Sequence, residues 1–430
     1  MISLAEHKSV THTDGTTWIT FTVAVPSADE IGGAMQAERS VQQVLNNMGQ
    51  SIMEHTLARY DTNGEPIELG RERLTSKGRS EQTYQSLFGP VSVARHVYQK
   101  SAGGVTFCPM EDRARIIENA TCQFAAVVAA KYSAQSGRAV ARDLEESLQR
   151  SLSLDYLQTL SARVGDIAVR KEAHWTYAPQ TPRENVVAFV MGIDGACVAI
   201  GDEGWKQAMV GSISLLDAKG ERLETIYQAN VPEEGKATFF ARMEREVKRL
   251  KQWCPEAPWL GICDGAHDLQ QWLERHCDLV MLDFYHLSEY VSAAAGAFEK
   301  DAAAQSQWLQ STLHALKHDE GAAPQLVKTL ERKLPSPELS DSARESVADA
   351  LRYLQANAGR THYAQVRKLN LPIGSGVTEA ACKHIIKERA CGSGMRWQRK
   401  ALQGVLALRS LHESSNRWGQ FWSRIERFGK

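Results

Sequence analysis

The hydrophobic period of the chain changes several times, and the changes divide it. TTWITFTVAV (16–25) alternates apolar and polar residues like a strand with one packed face, whereas 28–60 spaces its apolar residues three and four apart, a helical period interrupted near Gly32 and Gly33. Alternation returns in TYQSLFGPVSVARHVYQ (83–99), which predicts a short hairpin or edge pair. From 111 to 170 the pattern is helical throughout. Within that block, 137–170 predicts two helices joined by a short turn near Leu152 to Leu154, with Ser153 as N-cap. HWTYAPQTPREN (174–185), with two prolines, reads as a linker.

Beyond the linker the pattern is of another kind. Residues 186–201, 208–220 and 222–231 are successive strand-like runs, and 238–254 is an amphipathic helix. PWLGICDG (258–265) and DLVMLDFY (278–285) are short apolar runs of the type found in buried parallel strands, separated by the helical HDLQQWLERH. Three strands, a helix, a strand, a helix and a strand predict an α/β layer with a mixed sheet. Residues 287–370 are nearly all helical. After them comes IGSGVTEAACKHIIKERACGSGMRW (373–397), a helical stretch bracketed by two Gly-Ser-Gly triplets.

The predicted organisation is therefore an α+β region at 1–110, a helical region and linker at 111–180, the first part of an α/β core at 186–286, a helical insertion at 287–370, and C-terminal helices with a basic tail at 371–430. At 430 residues and 43% hydrophobic content the chain has material for more than one core. The formal net charge of −1 conceals a basic C-terminal stretch suited to a local polyanion contact. Arg389, Arg396, Arg399 and Lys400 are the expected DNA contacts within it. The eight cysteines include no C-x-x-C pair, so neither a zinc ribbon nor a disulfide framework is indicated. No run approaches the roughly 20 apolar residues of a membrane span, and the first residues lack the apolar run of a signal peptide. A cytoplasmic protein, associated with the nucleoid when bound to DNA, is expected.

Three acids occupy comparable positions. Asp194 is read as ending the first strand in GIDG, Asp264 as ending the fourth in ICDG, and Glu379 lies about one turn into the helix after Gly-Ser-Gly. Each has a structural alternative: Asp-Gly is the preferred type I′ hairpin dipeptide, Asp264 can N-cap the helix beginning near Ala266, and Glu379 can be an exposed helix residue. Together, two strand-end carboxylates and a helical one can converge on a pair of magnesium ions. Such a pair supports in-line phosphoryl transfer. A phosphate cradle is disfavoured, because the segment lacks the lysine of GxxxxGK[ST].

The element order with acids in GIDG, ICDGA and the GSG-x-x-E helix resembles the RNase H-like core of DDE transposases. LDFYH (282–286), with its D-x-x-H spacing, and RACGSGMRW (389–397) followed by ALQGVLALRSLHES and RWGQFW, narrow the resemblance to bacterial insertion-sequence transposases related to Mutator-like elements. It covers 186–430 by motif and the remainder by architecture only. The resemblance implies an α/β RNase H-like core with a mixed sheet, an all-helical insertion and a mainly helical N-terminal DNA-binding region. It makes Asp194, Asp264 and Glu379 the catalytic, metal-binding triad for two Mg2+ or Mn2+ ions. The family's paired cysteines are reduced here to Cys108, so no zinc is expected.

Asp283 and His286 match the family's additional motif, and His286 either touches a phosphate or packs at the sheet edge. Trp397 either stacks on a base or, the favoured reading, packs its helix. Helices 137–170 have helix-turn-helix spacing, with Arg142 and Arg163 as DNA contacts, although an ordinary αα-hairpin has the same pattern. The implied partners are the terminal inverted repeats and target DNA, handled by a homodimer or higher homo-oligomer. The implied activity is strand cleavage followed by strand transfer. An RNase H-like nuclease or resolvase without strand transfer, and a domesticated non-catalytic DNA-binding protein, share most of these features.

Overall fold

A computed structural model describes residues 1–27, 30, 33–299 and 301–430. The chain divides into two compact units, Met1–His174 with Gly419–Lys430, and Trp175–Trp418.

In the first unit, β1 (Ser3–Thr11) and β2 (Thr17–Ala24) form an antiparallel ribbon. Helix α1 (Ala34–Ala58) follows Gly33 and is shorter than the predicted 28–60; positions 28, 29, 31 and 32, including the expected break at Gly32, lie outside the described residues. β3 (Ile67–Leu69), β4 (Glu72–Ser86) and β5 (Gly89–Gln99) make an antiparallel sheet whose β4–β5 turn is the predicted hairpin. Tyr84, Val91 and Val93 bury the inner face of this sheet against Leu57, Met110 and Ile116. The block after 111 is not helical throughout. Between α2 (Pro109–Arg113) and α3 (Cys122–Ala134) the chain turns irregularly, with Arg115, Glu118 and Asn119 at positive φ. Helices α4 (Gly137–Leu148) and α5 (Leu154–Glu172) have the predicted spacing, and the Ser153 hydroxyl accepts from the Tyr156 N–H at 3.2 Å as its N-cap. Arg150, in the turn, is buried; it donates to the Gln85 amide oxygen and the Ser86 carbonyl and lies over the Phe124 ring.

The second unit is built on one mixed sheet of β6 (Ala188–Ile200), β7 (Gly204–Leu216), β8 (Arg222–Asn230), β9 (Trp259–Cys263) and β10 (Leu279–Leu282), in the order β10-β9-β6-β7-β8. β6, β7 and β8 are antiparallel neighbours, whereas β9 runs parallel to β6 and β10 parallel to β9. The crossovers to β9 and β10 are α6 (Ala237–Trp253) and α7 (His267–His276). Side chains alternate across a strand, so Phe189, Met191 and Ile193 share one face. That face packs against Phe239, Met243 and Leu250 of α6 and Trp272 and Leu273 of α7.

The opposite face is divided. At the β9–β10 side, Leu260 and Ile262 share a core with α8 (Phe284–Phe298), α10 (Ala322–Lys333), α11 (Asp341–Ala356) and α12 (Tyr363–Lys368), while α9 (Ala302–His318) adds Leu316. The helical block is thus continuous with the sheet's own core. At the β6–β7 side, Ala196, Val198, Ile200 and Val210 pack against α13 (Gly376–Ala381), the π-helical turn Cys382–Lys387 that continues it, and α15 (Arg399–Glu413), which follows the short α14 (Glu388–Ala390). The last helix, α16, runs from Arg417 to Phe428.

Candidate functional site

Asp194 does not end its strand. It lies midway along β6, where it pairs with Val210 while Gly195 pairs with Met209, so the Asp-Gly dipeptide forms no hairpin turn. With Gly192 and Ala196 it belongs to the divided face. The β6–β9 ladder pairs Val190 with Leu260 and Gly192 with Ile262. The paired ladder stops there; Asp194 lies two residues further along β6, and Asp264 two residues further along the chain, just past the end of β9. The next ladder, Leu282 with Cys263, leads to Asp283, whose N–H donates to the Cys263 carbonyl at 2.8 Å. Asp194 therefore lies within β6, while Asp264 and Asp283 each follow directly on the last residue of β9 and β10.

Their environments separate them. Asp194 is half-buried: one carboxylate oxygen accepts from the Gly195 N–H at 2.6 Å and the other from the Cys382 thiol at 3.1 Å. Asp264 is exposed at the Gly265 turn, where φ is +96°, a backbone conformation that favours glycine. Its carboxylate accepts from the Ala266 N–H at 3.1 Å and its carbonyl from the Tyr353 hydroxyl at 2.6 Å. The N-cap of α7 is Ala266 itself, without a side-chain cap, so Asp264 shapes the turn rather than capping the helix.

Glu379 enters from the C-terminal helix. It is exposed in the first turn of α13, with Oε1 accepting from the Ser375 hydroxyl at 3.1 Å. α13 lies directly on the divided face: a Cβ at Gly192 would come within 2.0 Å of the Thr378 hydroxyl, which bonds Ser212 at 2.8 Å. Cys382, one turn after Glu379, has its thiol pKa pushed up by burial, then by the charge of Asp194 and the hydrogen bond to it, with a smaller contribution from Glu379. The π turn beginning at Cys382 places this thiol over the strand, and π segments inside helices recur at functional sites.

None of the three proposed ligands makes an ion pair among the described residues. Carboxylate oxygens free of cationic partners are the donors that hard divalent ions prefer, so the donor chemistry fits magnesium or manganese. Among the described residues no group of three or more His, Cys, Asp or Glu side chains is gathered closely enough to hold an ion. Asp194 lies on β6, Asp264 just past the end of β9, and Glu379 on the helix that covers the β6–β7 side of the divided face.

The D-x-x-H residues have structural partners. Asp283 is fully buried, and its carboxylate accepts from the His286 N–H at 2.8 Å, capping α8, and from the Ser375 N–H. The His286 ring stands edge-on to Tyr290 at 5.5 Å and to Tyr353 at 5.6 Å, with Nδ1 3.6 Å from Glu289. The ring thus contacts two helical tyrosines while its side chain stays 38% exposed.

The basic residues divide similarly. Arg389, expected as a DNA contact, is only 3% exposed, with its guanidinium 4.8 Å from the centre of the Trp397 ring; burial in this stack removes it from any phosphate. Trp397 packs as favoured: its indole donates to the Ala390 carbonyl at 3.0 Å and its backbone bridges to Ala199 and Gly201. Arg399 is held by Glu203 at 2.8 and 2.5 Å and by the Pro232 carbonyl, a geometry that occupies most of its donors. Arg396 and Lys400 are exposed. Arg142 is exposed on α4, while Arg163 of α5 pairs with Glu118 and Asp166, both at 3.6 Å.

Cys382 and Tyr353 contact Asp194 and Asp264, and neither stands out in the sequence by itself. Cys382 had one available signal, its place one turn after Glu379.

No protein-family model matches the chain, and no curated protein matches it. Among solved structures, it is similar to the Drosophila P element transposase strand transfer complex at 9% identity and a TM-score of 0.25, over 72% of this chain and 81% of that one. No helix among the described residues is long and apolar enough to cross a membrane.

Proposed function

We propose that this chain is a DNA transposase of the DDE type with an RNase H-like core, in which Asp194, Asp264 and Glu379 are the acidic residues of the reaction site. The observation that carries the reading is the parallel β6–β9 ladder, which ends at Gly192 with Ile262, two residues before Asp194 and Asp264. The sheet order supports it: the antiparallel meander β6-β7-β8, with β9 parallel to β6 and β10 parallel to β9, is the order expected of an RNase H-like core. α13, carrying Glu379, covers the same face.

On this reading Asp194, Asp264 and Glu379 hold two Mg2+ or Mn2+ ions, which supply Lewis acidity and neutralise phosphate charge when bound. The chain's own contribution is to aim three carboxylates from rigid elements. Asp194 is held by Gly195 and Cys382, Asp264 by its turn, and Glu379 by Ser375. Water attacks a phosphodiester at the element's end, the P–O bond to the 3′ oxygen breaks, and a 3′-hydroxyl is released. That hydroxyl then attacks a target phosphodiester; one P–O bond forms as another breaks, and the target's 3′ oxygen leaves. The attacking group's proton passes to solvent.

Arg396 and Lys400 are the exposed cations assigned to phosphate contact, and α4–α5 with Arg142 and Arg163 to terminal-repeat recognition. Two ends are brought together by a homodimer or higher assembly acting on DNA in the cytoplasm.

The test is incubation of the protein with duplexes carrying the inverted repeats that flank its reading frame, plus target plasmid and Mg2+. The expected products are nicked ends with 3′-hydroxyls and end–target joints, all absent with Asp194→Asn. Hydrolysis without joints assigns a nuclease instead, and cleavage by Asp194→Asn at the normal rate removes the proposed site.

A further inference from the structure

Asp283 follows β10 as Asp264 follows the adjacent β9, yet it is fully buried and two backbone N–H groups occupy its carboxylate. One donor, His286, lies in the first turn of α8; the other, Ser375, is in the Gly-Ser-Gly segment that leads into α13. The surroundings repeat this attachment. The Phe284 N–H donates to the Ile373 carbonyl at 3.0 Å, and Gly374 lies so close to the Tyr285 ring that a Cβ would come within 2.4 Å of it. Residues 283–285 thus grip 373–375, immediately before the turn that displays Glu379. From Ser375 two bonds continue to that residue: its carbonyl accepts the Glu379 N–H at 3.0 Å, and its hydroxyl donates to the Glu379 carboxylate at 3.1 Å.

We infer that Asp283 is a positioning residue for Glu379: its buried carboxylate fixes the Ser375 backbone and so sets where the helical carboxylate stands against the Asp194–Asp264 pair. This rests on the reading of Glu379 as the third acid. A buried carboxylate satisfied by protein N–H groups is not an available ligand, and charge-assisted bonds of this kind are about twice as strong as neutral ones. Loss of an outer partner of this sort commonly costs about 10–100-fold in metal affinity.

The experiment uses the full chain with Asp283→Asn, which preserves volume but loses the negative charge and one acceptor. Amide hydrogen exchange without metal is read on peptides covering 371–381, and calorimetry with Mn2+ alone gives affinity. Asp283→Asn is expected to speed exchange at 375–379 at least tenfold, leave β6 and β9 peptides unchanged, and weaken Mn2+ binding about 10–100-fold. Combined with Glu379→Gln it should add nothing to the affinity loss of Glu379→Gln alone, since both act through one carboxylate. A general packing defect would instead add a further loss.

If Asp283→Asn fails to fold, Ser375→Pro replaces it, removing the N–H donor at a residue whose φ of −85° is close to the range proline adopts. Ser375→Ala, which keeps the N–H, is then the control and should leave exchange at 376–378 near wild type. Unchanged exchange at 375–379 in Asp283→Asn, or affinity losses that multiply in the double variant, overturns the inference. If wild type binds no Mn2+ and Glu379→Gln alters nothing, the functional reading fails, while the exchange arm still decides whether Asp283 holds the segment.

Discussion

The Cys382 thiol donates to the Asp194 carboxylate at 3.1 Å, joining the C-terminal helix to the middle strand of the sheet at the proposed reaction site. Burial, with Asp194 beside it, holds the thiol above its ordinary pKa. It should therefore stay protonated and unreactive at mildly alkaline pH. Iodoacetamide at pH 8, followed by peptide mass mapping, is expected to modify the exposed Cys197 and spare Cys382 in the folded protein. Equal labelling of the two would show that the contact does not persist in solution.

Glu246 of α6 is buried between Arg417 and Arg249, at 2.7 and 2.9 Å. Burial acts against its charge, but Arg417 and then Arg249 outweigh it and hold the carboxyl at about 2, against an ordinary 4.5. The folded value lies below the unfolded one. The stability it gives is therefore fully present above about 4.5 and is lost as pH falls toward 2. The loss amounts to roughly 3 kcal/mol, and Glu246→Gln should cost about 3–5 kcal/mol at neutral pH by stranding two guanidiniums. Urea unfolding as a function of pH measures both, and a flat profile between 5 and 2.5 attributable to this residue would refute the assignment.

Salt dependence separates the basic residues. Arg396→Ala and Lys400→Ala should weaken DNA binding across sequences and each lower the slope of log affinity against log salt by about 1. Arg389→Ala, which removes a buried guanidinium from the Trp397 ring, should reduce thermal stability and leave the slope unchanged. Binding isotherms at several salt concentrations distinguish the two classes; a slope change for Arg389→Ala would mean that it reaches phosphate.

The Tyr353 hydroxyl bonds the Asp264 carbonyl, and its ring backs the Gly265 turn. Tyr353→Phe should cost about 0.5–1.5 kcal/mol in stability. It should also loosen the turn, seen as faster exchange in 264–267 with no change in β6.

Much of the second unit was legible in the sequence because its strands are buried apolar runs and its helices amphipathic. Asp194 and Asp264 stand out because each follows an apolar run and precedes a glycine, and Glu379 because it follows Gly-Ser-Gly. Their settings were less accessible. Asp194-Gly195 has the local preference of a hairpin turn, but pairing with Val210 and Met209 on β7 carries the strand through it. β1 has polar residues on both faces and shows no alternation to read, so its pairing with β2 is the only sign that it is a strand. Asp283 and Asp264 look alike in the sequence, and only the burial of one separates a brace from an available ligand. Arg389 looked like a surface cation because charge is visible in a sequence and a covering Trp397 ring is not.

The central claim, that Asp194 and Asp264 form the cation-holding rim of this fold, is tested most directly by Mn2+ anomalous diffraction from crystals of the full chain. The account predicts anomalous density shared by the Asp194 and Asp264 carboxylates and its loss in Asp194→Asn. Manganese bound elsewhere while that rim stays empty, or density unchanged by Asp194→Asn, would contradict it.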